Sequence, residues 1–371
     1  MSNLVLYRKY RPKKFSEIVG QEHIIKTLTN AVSREMISHA YLFSGPRGTG
    51  KTTTARLFAK SLNCHNRKEG ESEPCNKCPS CLDIISGRSL DLIEIDAASH
   101  RGIDEIRELR EGIKFSPAKE KYKVFILDEA HQLSKDAVNA LLKTLEEPPS
   151  HAIFILATTE IHKMLPTIIS RCQRFDFRKL KLPEIKKRMS YICQKEGVKI
   201  DEAALELIAL NSGGAIRDAE SLLDQVLTFA FTVNSEEIKA EKVRDILGMA
   251  DNSLISQFLG HLKNNNSAGA LKFLNEIMEK GYDPQEFARA LVGYLRRLLI
   301  LEISPEDENP IILGLTEEEK KSFKEQANSF GAKKIHKMID LFLDAENKMR
   351  YSSIPQLPLE LAVVDITEED K

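Results

Sequence analysis

The sequence contains no run of about eighteen apolar residues, the length a bilayer-spanning helix requires, so no membrane span is expected. It has no surplus of charge either: 54 lysines and arginines stand against 55 aspartates and glutamates. A chain so balanced is not expected to coat nucleic acid unaided, although a local basic face is compatible with it. The opening Met1-Ser2-Asn3-Leu4 lacks the apolar centre of a secretory leader, which leaves the cytoplasm as the default compartment. Tryptophan is absent, and nothing follows from that. Cysteine is scarce at six, yet four of the six are clustered. In a reducing compartment such a cluster points to metal rather than to disulfides. A length of 371 residues predicts two or three domains.

What is present is organised around Gly45-Pro46-Arg47-Gly48-Thr49-Gly50-Lys51-Thr52. An apolar run at 40–44 reads as a buried strand before it, and 53–60 reads as a helix after it. Strand, GxxxxGKT and helix in that order form a phosphate-binding loop. The glycines let backbone N–H groups converge on one anion, and the helix N-terminus adds about half a positive charge there. Lys51 has the reach for β- and γ-phosphates, and the Thr52 hydroxyl can ligate Mg²⁺. A nucleoside triphosphate is therefore the expected ligand.

A second apolar strand, Val124-Phe125-Ile126-Leu127, runs into Asp128-Glu129-Ala130-His131, the form of a Walker B segment. Asp128 is the expected metal-side carboxylate and Glu129 the expected general base. A third strand at 152–159 ends in Thr158-Thr159, hydroxyls placed to feel a γ-phosphate and orient water. The N-terminal Tyr7-Arg8-Lys9-Tyr10-Arg11-Pro12-Lys13-Lys14-Phe15 is basic and aromatic. Two readings of it compete: a solvated arm, or an extended segment packed on a bound base.

The clustered cysteines are Cys64, Cys75, Cys78 and Cys81, with a polar excursion at 69–74 between the first two. Four thiolates on a short loop match a closed, structural Zn²⁺ site. An iron–sulfur cluster competes, because C-x2-C-x2-C also opens the ferredoxin run; that run wants another cysteine and a proline, and Leu82-Asp83-Ile84-Ile85-Ser86 follows instead. Zinc is the preferred reading, with the task of ordering a loop too polar to fold alone.

The remaining pattern is mostly helical. Helices are expected at 20–32, 102–112 and 136–147, the last stopped by Pro148-Pro149, and a strand at 91–96. Residues 166–177 hold Ser170-Arg171-Cys172. Leu180-Lys181-Leu182-Pro183 reads as a linker, followed by helices at 184–196, 201–211, 215–229 and 240–247, a small helical lid. From about Asp251 onward the chain reads all-helical: Leu254, Ile255, Phe258, Leu259 and Leu262 share a face, as do Phe287, Leu291, Tyr294, Leu295, Leu298 and Leu299, and 334–349 forms a third stripe. Stripes of this spacing are core.

The segments Tyr7–Pro12, Val19-Gly20-Gln21, His39–Gly45, the four-cysteine insert, Leu127–His131, Leu145–Pro149 and Ser170-Arg171-Cys172 together resemble the AAA+ ATPases. The insert and the Ser-Arg-Cys triplet make the resemblance closer to the bacterial clamp-loader branch, the gamma/tau family. That resemblance implies an α/β fold: an AAA+ P-loop domain with a parallel sheet and zinc insert (64–81) over 1–178, a helical lid over 179–243, and an all-α collar over 244–371 that holds subunits in a ring. It implies ATP as the nucleotide. Arg171 matches the arginine finger that reaches into a neighbour's ATP. Thr159 matches the first sensor, with Thr158 beside it, and Arg217 the second. Tyr7, Arg8, Pro12 and Val19 fall where the family wraps the adenine. The implied partners are delta- and delta-prime-type subunits, a sliding clamp and primer–template DNA, in an ATP-driven cycle that opens the clamp and loads it during replication. Family members can carry longer tails, expected to lie outside this chain. A polymerase label can attach to such a chain through its holoenzyme, but no polymerase active site is visible. Two rivals stay open: a translocating helicase, since Asp128–His131 spells a DEAH box, and a regulatory subunit that binds nucleotide without hydrolysing it.

Overall fold

The computed structural model describes residues 4–99, 112–113, 115–233, 237–246, 252–304 and 317–368. Most of the helix expected at 102–112, and the last residue of the one at 240–247, lie outside these. The chain divides into two compact units, one of Met1–Ile200 with Ile208–Glu236, the other of Asp201–Leu207 with Glu237–Lys371.

The first unit is built on five parallel strands: β1 (Ala40–Ser44), β2 (Leu92–Asp96), β3 (Lys123–Asp128), β4 (Ala152–Thr158) and β5 (Gln173–Asp176). Their order across the sheet is β2-β3-β4-β1-β5. Every residue of β1 and β4 is buried, which is why they read as unbroken apolar runs: a parallel strand is covered on both faces. Successive side chains still part to opposite faces. Tyr41, Phe43, Val124, Ile126, Ile153 and Ile155 join one apolar layer, with Leu28 of α1 (Glu22–Ser33) and Phe58 of α2 (Lys51–Leu62). Leu42, Phe125, Leu127, Phe154 and Leu156 join the other. Further along the chain come α3 (Pro79–Ser86) and α4 (Lys135–Glu146); Leu141 and Leu145 of α4 close the second layer. The Ser134 side chain accepts the Ala137 N–H at 3.2 Å and starts α4.

β5 was not legible as a strand. Only Phe175 of its four residues is buried, so an edge strand this short shows no apolar run. It lies beside β1, pairing Tyr41 with Gln173 and Ser44 with Asp176. β1 has β4 on one side and β5 on the other, so the chain's crossovers run to both sides of it. Ligands of open parallel sheets settle at the carboxyl ends of strands at such a point. Ser44 and Thr158 stand in register there, with the end of β3 next to β4.

The expected linker is shorter than 180–183. Leu182 already opens α5 (Leu182–Glu196), and the Glu184 carboxylate accepts the Lys181 N–H at 2.7 Å. Leu180 donates its N–H to Gly214 O at 2.9 Å, just before α6 (Ile216–Val233).

Apart from a two-residue strand, Glu237–Ile238, the described elements of the second unit are helical and include α7 (Asn252–Lys263), α8 (Ser267–Glu279), α9 (Pro284–Ile303), α10 (Glu317–Met349) and α11 (Leu357–Glu368). Gly331, at φ 73° and ψ 153°, breaks α10 into two helical pieces. The expected stripes form one core: Ile255, Phe258, Leu259, Leu262, Phe287, Leu291, Tyr294, Leu295 and Leu298 are buried, and Leu254 and Leu299 pack half-buried against them. Phe258 meets Phe287 edge-on at 5.5 Å between ring centres. Among the described residues no helix is long and apolar enough to cross a membrane.

Candidate nucleotide site and metal centre

The loop between β1 and α2 takes a backbone course few residues can follow. Gly45 lies at φ +141° and Gly48 at φ +75°; a Cβ on Gly45 would come within 2.3 Å of Phe177 O, and one on Gly48 within 2.9 Å of the Ala215 Cβ. Gly50 sits at the N-cap of α2, no side chain caps that helix, and the space where a Gly50 Cβ would stand holds nothing within 4 Å. The N-terminus of α2 thus has no side-chain cap, an arrangement suited to a phosphate. Thr49 Oγ1 braces the loop by donating to Pro46 O at 2.8 Å. The Lys51 ammonium is folded back onto the loop, donating to Gly45 O at 2.7 Å and Pro46 O at 2.9 Å. Burial lowers its pKa, with Glu129 and Asp128 pulling the other way.

Thr52 Oγ1 donates to Asp128 Oδ2 at 2.7 Å, so the two oxygens expected to ligate Mg²⁺ already stand together. Oxygen donors of this kind suit a hard cation. Glu129 follows in a left-handed conformation, φ 48°. Its carboxylate accepts from Thr159 Oγ1 at 2.8 Å and from Thr159 N–H at 3.3 Å. Thr158 serves something else: its Oγ1 lies 2.9 Å from Nδ1 of the half-buried His131, which is 3.5 Å from Glu129 and 3.5 Å from Glu160. The two hydroxyls that the sequence left as alternatives are thus divided between the carboxylate and the imidazole.

Thr52, Asp128 and Glu129 open onto a partly open cavity of about 170 Å³. Tyr7, Pro12, Val19, residues 47–53, Asp128, Glu129 and Arg217 line it. The Arg217 guanidinium stacks over the Tyr7 ring at 4.9 Å, and its hydrogen bond to the phenol holds the Tyr7 pKa below its usual value. Arg217 N–H also faces Gly48 O at 3.4 Å. Arg8 does not line the cavity; Arg11 does.

Sequence reading missed Arg188 and Glu220, which also line the cavity. Arg188 Nε donates to Glu220 Oε1 at 3.0 Å with both side chains under a tenth exposed. Arg188 also donates to Tyr10 O, tying α5 to the arm. Burial raises the Glu220 pKa, and Arg188 opposes the rise. The available signal was position: Arg188 falls among buried Ile185, Met189 and Ile192, and Glu220 beside buried Ala219. Arg171 stands outside the cavity wall, bonded to Glu146 Oε1 at 2.6 Å and Thr167 O at 2.7 Å.

The sulfurs of Cys64, Cys75, Cys78 and Cys81 all lie within 4.8 Å of one another. A tetrahedral zinc with Zn–S near 2.3 Å spaces its sulfurs about 3.8 Å apart, so the set fits after small adjustments. N–H groups of Cys75, Lys77 and Cys78 approach these sulfurs at 3.3–3.4 Å, as suits thiolates. The site is not confined to a loop: Cys78 precedes α3 and Cys81 lies on it.

Comparison with known proteins gives three consecutive family matches. Residues 20–181 match the model described as DNA polymerase III, delta subunit; 184–231 match the DNA polymerase III clamp loader subunit, ATPase lid domain; 238–369 match DNA polymerase III subunits gamma and tau domain III. DNA polymerase III subunit tau of Bacillus subtilis is 44% identical over 370 residues, 99% of this chain and 64% of that protein. Subunit gamma/tau of Mycobacterium tuberculosis H37Rv is 38% identical over 96% of this chain and 61% of its own length. The chain thus spans less than two thirds of these two relatives. Subunit gamma of Buchnera aphidicola from Acyrthosiphon pisum is 36% identical over 99% of both chains. Among solved structures, the Thermotoga maritima RuvB Holliday junction branch migration motor aligns at 20% identity with a TM-score of 0.49, over 68% of this chain and 79% of that one. With the Buchnera protein matched end to end, the chain belongs to the DNA polymerase III gamma/tau family.

Proposed function

We propose that this chain is an ATP-hydrolysing motor subunit of a bacterial clamp loader, which opens a sliding clamp and loads it onto primer–template DNA. The observation carrying this reading is an asymmetry. Lys51, Thr52, Asp128, Glu129 and Arg217 converge on one cavity, while Arg171 lies outside it, half-exposed and bound to Glu146. Everything needed to hold a triphosphate is in one chain, and the guanidinium that completes the charge stabilisation is presented outward, to a neighbour.

In this reading Lys51 leaves the carbonyls of Gly45 and Pro46 for the β- and γ-phosphates. Thr52 and Asp128 would hold Mg²⁺, which would supply neutralisation of phosphate charge. Glu129, turned away from Thr159, accepts the proton of the attacking water as that oxygen bonds to the γ-phosphorus and ADP leaves. Arg217 carries the state of the γ-phosphate to α6, and a neighbour's Arg171 meets the charge developing in transfer. The four cysteines hold a structural zinc. The domains are an ATPase domain over 1–178, a lid over 179–243 and a collar over 244–371. The partners are delta- and delta-prime-type subunits, the clamp and DNA.

The test is clamp loading onto primed DNA by complexes carrying Arg171→Ala, beside ATP binding by the same variant. Binding should persist and loading fail. Loading that survives the substitution contradicts the proposal. A helicase reading would require strand displacement without a clamp.

A further inference from the structure

The cysteine insert is tied to the segment that walls the nucleotide cavity, through two charged side chains. Glu73, two residues before Cys75, accepts the N–H groups of Phe15 at 2.8 Å and Ser16 at 2.9 Å. Those amides begin a short 3₁₀ turn, Phe15–Glu17, whose own N-cap residue, Lys14, supplies no side-chain bond. The insert thus provides the cap that the arm lacks. The residues that follow, Glu17, Ile18 and Val19, line the cavity.

Lys60 makes the second tie. It lies on α2, only 3% exposed, and its ammonium donates to Lys13 O at 2.9 Å and to Asn76 Oδ1 at 2.6 Å. Asn76 is the residue between Cys75 and Lys77. One buried charge therefore clamps the arm and the cysteine segment to the helix that starts in the phosphate loop. Residues 71–72 are held from the other side, Ser72 O by Ser61 Oγ and Glu71 O by Arg67 at 2.9 Å. A stretch this polar keeps such an arrangement when its thiolates share a metal.

We infer that Glu73 and Lys60 are positioning residues through which the metal-ordered insert sets nucleotide affinity, by fixing residues 13–19 against the bound nucleotide. The inference rests on the cavity being the nucleotide site. It makes the insert part of the binding apparatus, although no cysteine touches the cavity.

The experiment uses the full chain, with equilibrium binding of a slowly hydrolysed ATP analogue and Mg²⁺, zinc content, and amide exchange across 13–19. Glu73→Ala should keep its zinc, lose protection at Phe15 and Ser16, and bind the analogue about tenfold more weakly, the scale of one charge-assisted hydrogen bond. Lys60→Met, which preserves the buried stem, should do the same. Chelating the zinc from the wild-type chain should reproduce the affinity loss, and chelation of Glu73→Ala should add little to it. Faster exchange at 13–19 with unchanged affinity overturns the inference, as does unchanged affinity after chelation. Should Glu73→Ala lose zinc, Glu73→Gln, which keeps one acceptor oxygen, repeats the measurement. Lys51→Ala separates the two claims: if it leaves affinity intact the cavity reading fails, whereas if it abolishes binding while the insert variants do nothing, only the present inference fails.

Discussion

The two units bury different things. In the sheet-based unit the interior holds Lys51, Lys60, Asp91, Arg188 and Glu220 besides its apolar layers. In the helical unit, among the described residues, Thr367 is the buried polar side chain. Burying a charge costs several kcal/mol unless it is paired and hydrogen-bonded. Each of these is hydrogen-bonded, and Arg188 and Glu220 are also paired: Asp91 accepts three N–H groups, from Ala118, Lys119 and Glu120 at 2.7–3.1 Å, and Lys51 and Lys60 donate to main-chain carbonyls. A fold accepts that expense where charge has a task. Among the described residues the helical unit buries no charged side chain, and its periodic stripes pack on one another.

The comparison is sharpened by substitutions in each unit. Phe258→Ala, in the middle of the helical core, should cost about 3–5 kcal/mol in that unit while leaving nucleotide affinity unchanged, read by denaturant unfolding beside nucleotide titration. Glu220→Ala should also cost about 3–5 kcal/mol, because Arg188 is left buried without its partner, but here nucleotide affinity should fall as well. Lys51→Ala should weaken nucleotide binding about a hundredfold with little change in unfolding midpoint, measured by the same titration. Smallest of the four, Thr367→Val should cost about 1 kcal/mol, the price of its bonds to Val363 O and Ser267, and leave the nucleotide alone. If Phe258→Ala disturbed nucleotide binding as strongly as Lys51→Ala, the division between a chemical and a scaffolding unit would be lost.

The same division governs what could be read from the sequence. The phosphate loop and the Asp128-Glu129 strand end were legible because phosphate and metal chemistry fixes both residue type and spacing. The helical stripes were legible because apolar burial repeats with the helix. Three features were not. β5 is too short and too charged at its edge to show a pattern. Arg188 and Glu220 look like ordinary helix-surface charges until the packing of α5 on α6 encloses them. Arg8, which the resemblance places at the adenine, is not among the residues lining the cavity, whereas Arg11 is; a basic run does not reveal which side faces inward. Arg8 flanks the Tyr7 ring at 5.9 Å without reaching the wall, whereas Arg11, beyond the short helix Leu6–Lys9, lines it.

The most direct measurement of the central claim is complementation between two defective subunits. Chains carrying Lys51→Ala and chains carrying Arg171→Ala are each assembled with the other loader subunits, then co-assembled, and DNA-stimulated ATP hydrolysis is compared. Each alone should be inactive, and the mixture should regain activity, because an intact Arg171 from one variant then meets an intact phosphate loop from the other. A mixture as inactive as its components would show that Arg171 does not act across subunits.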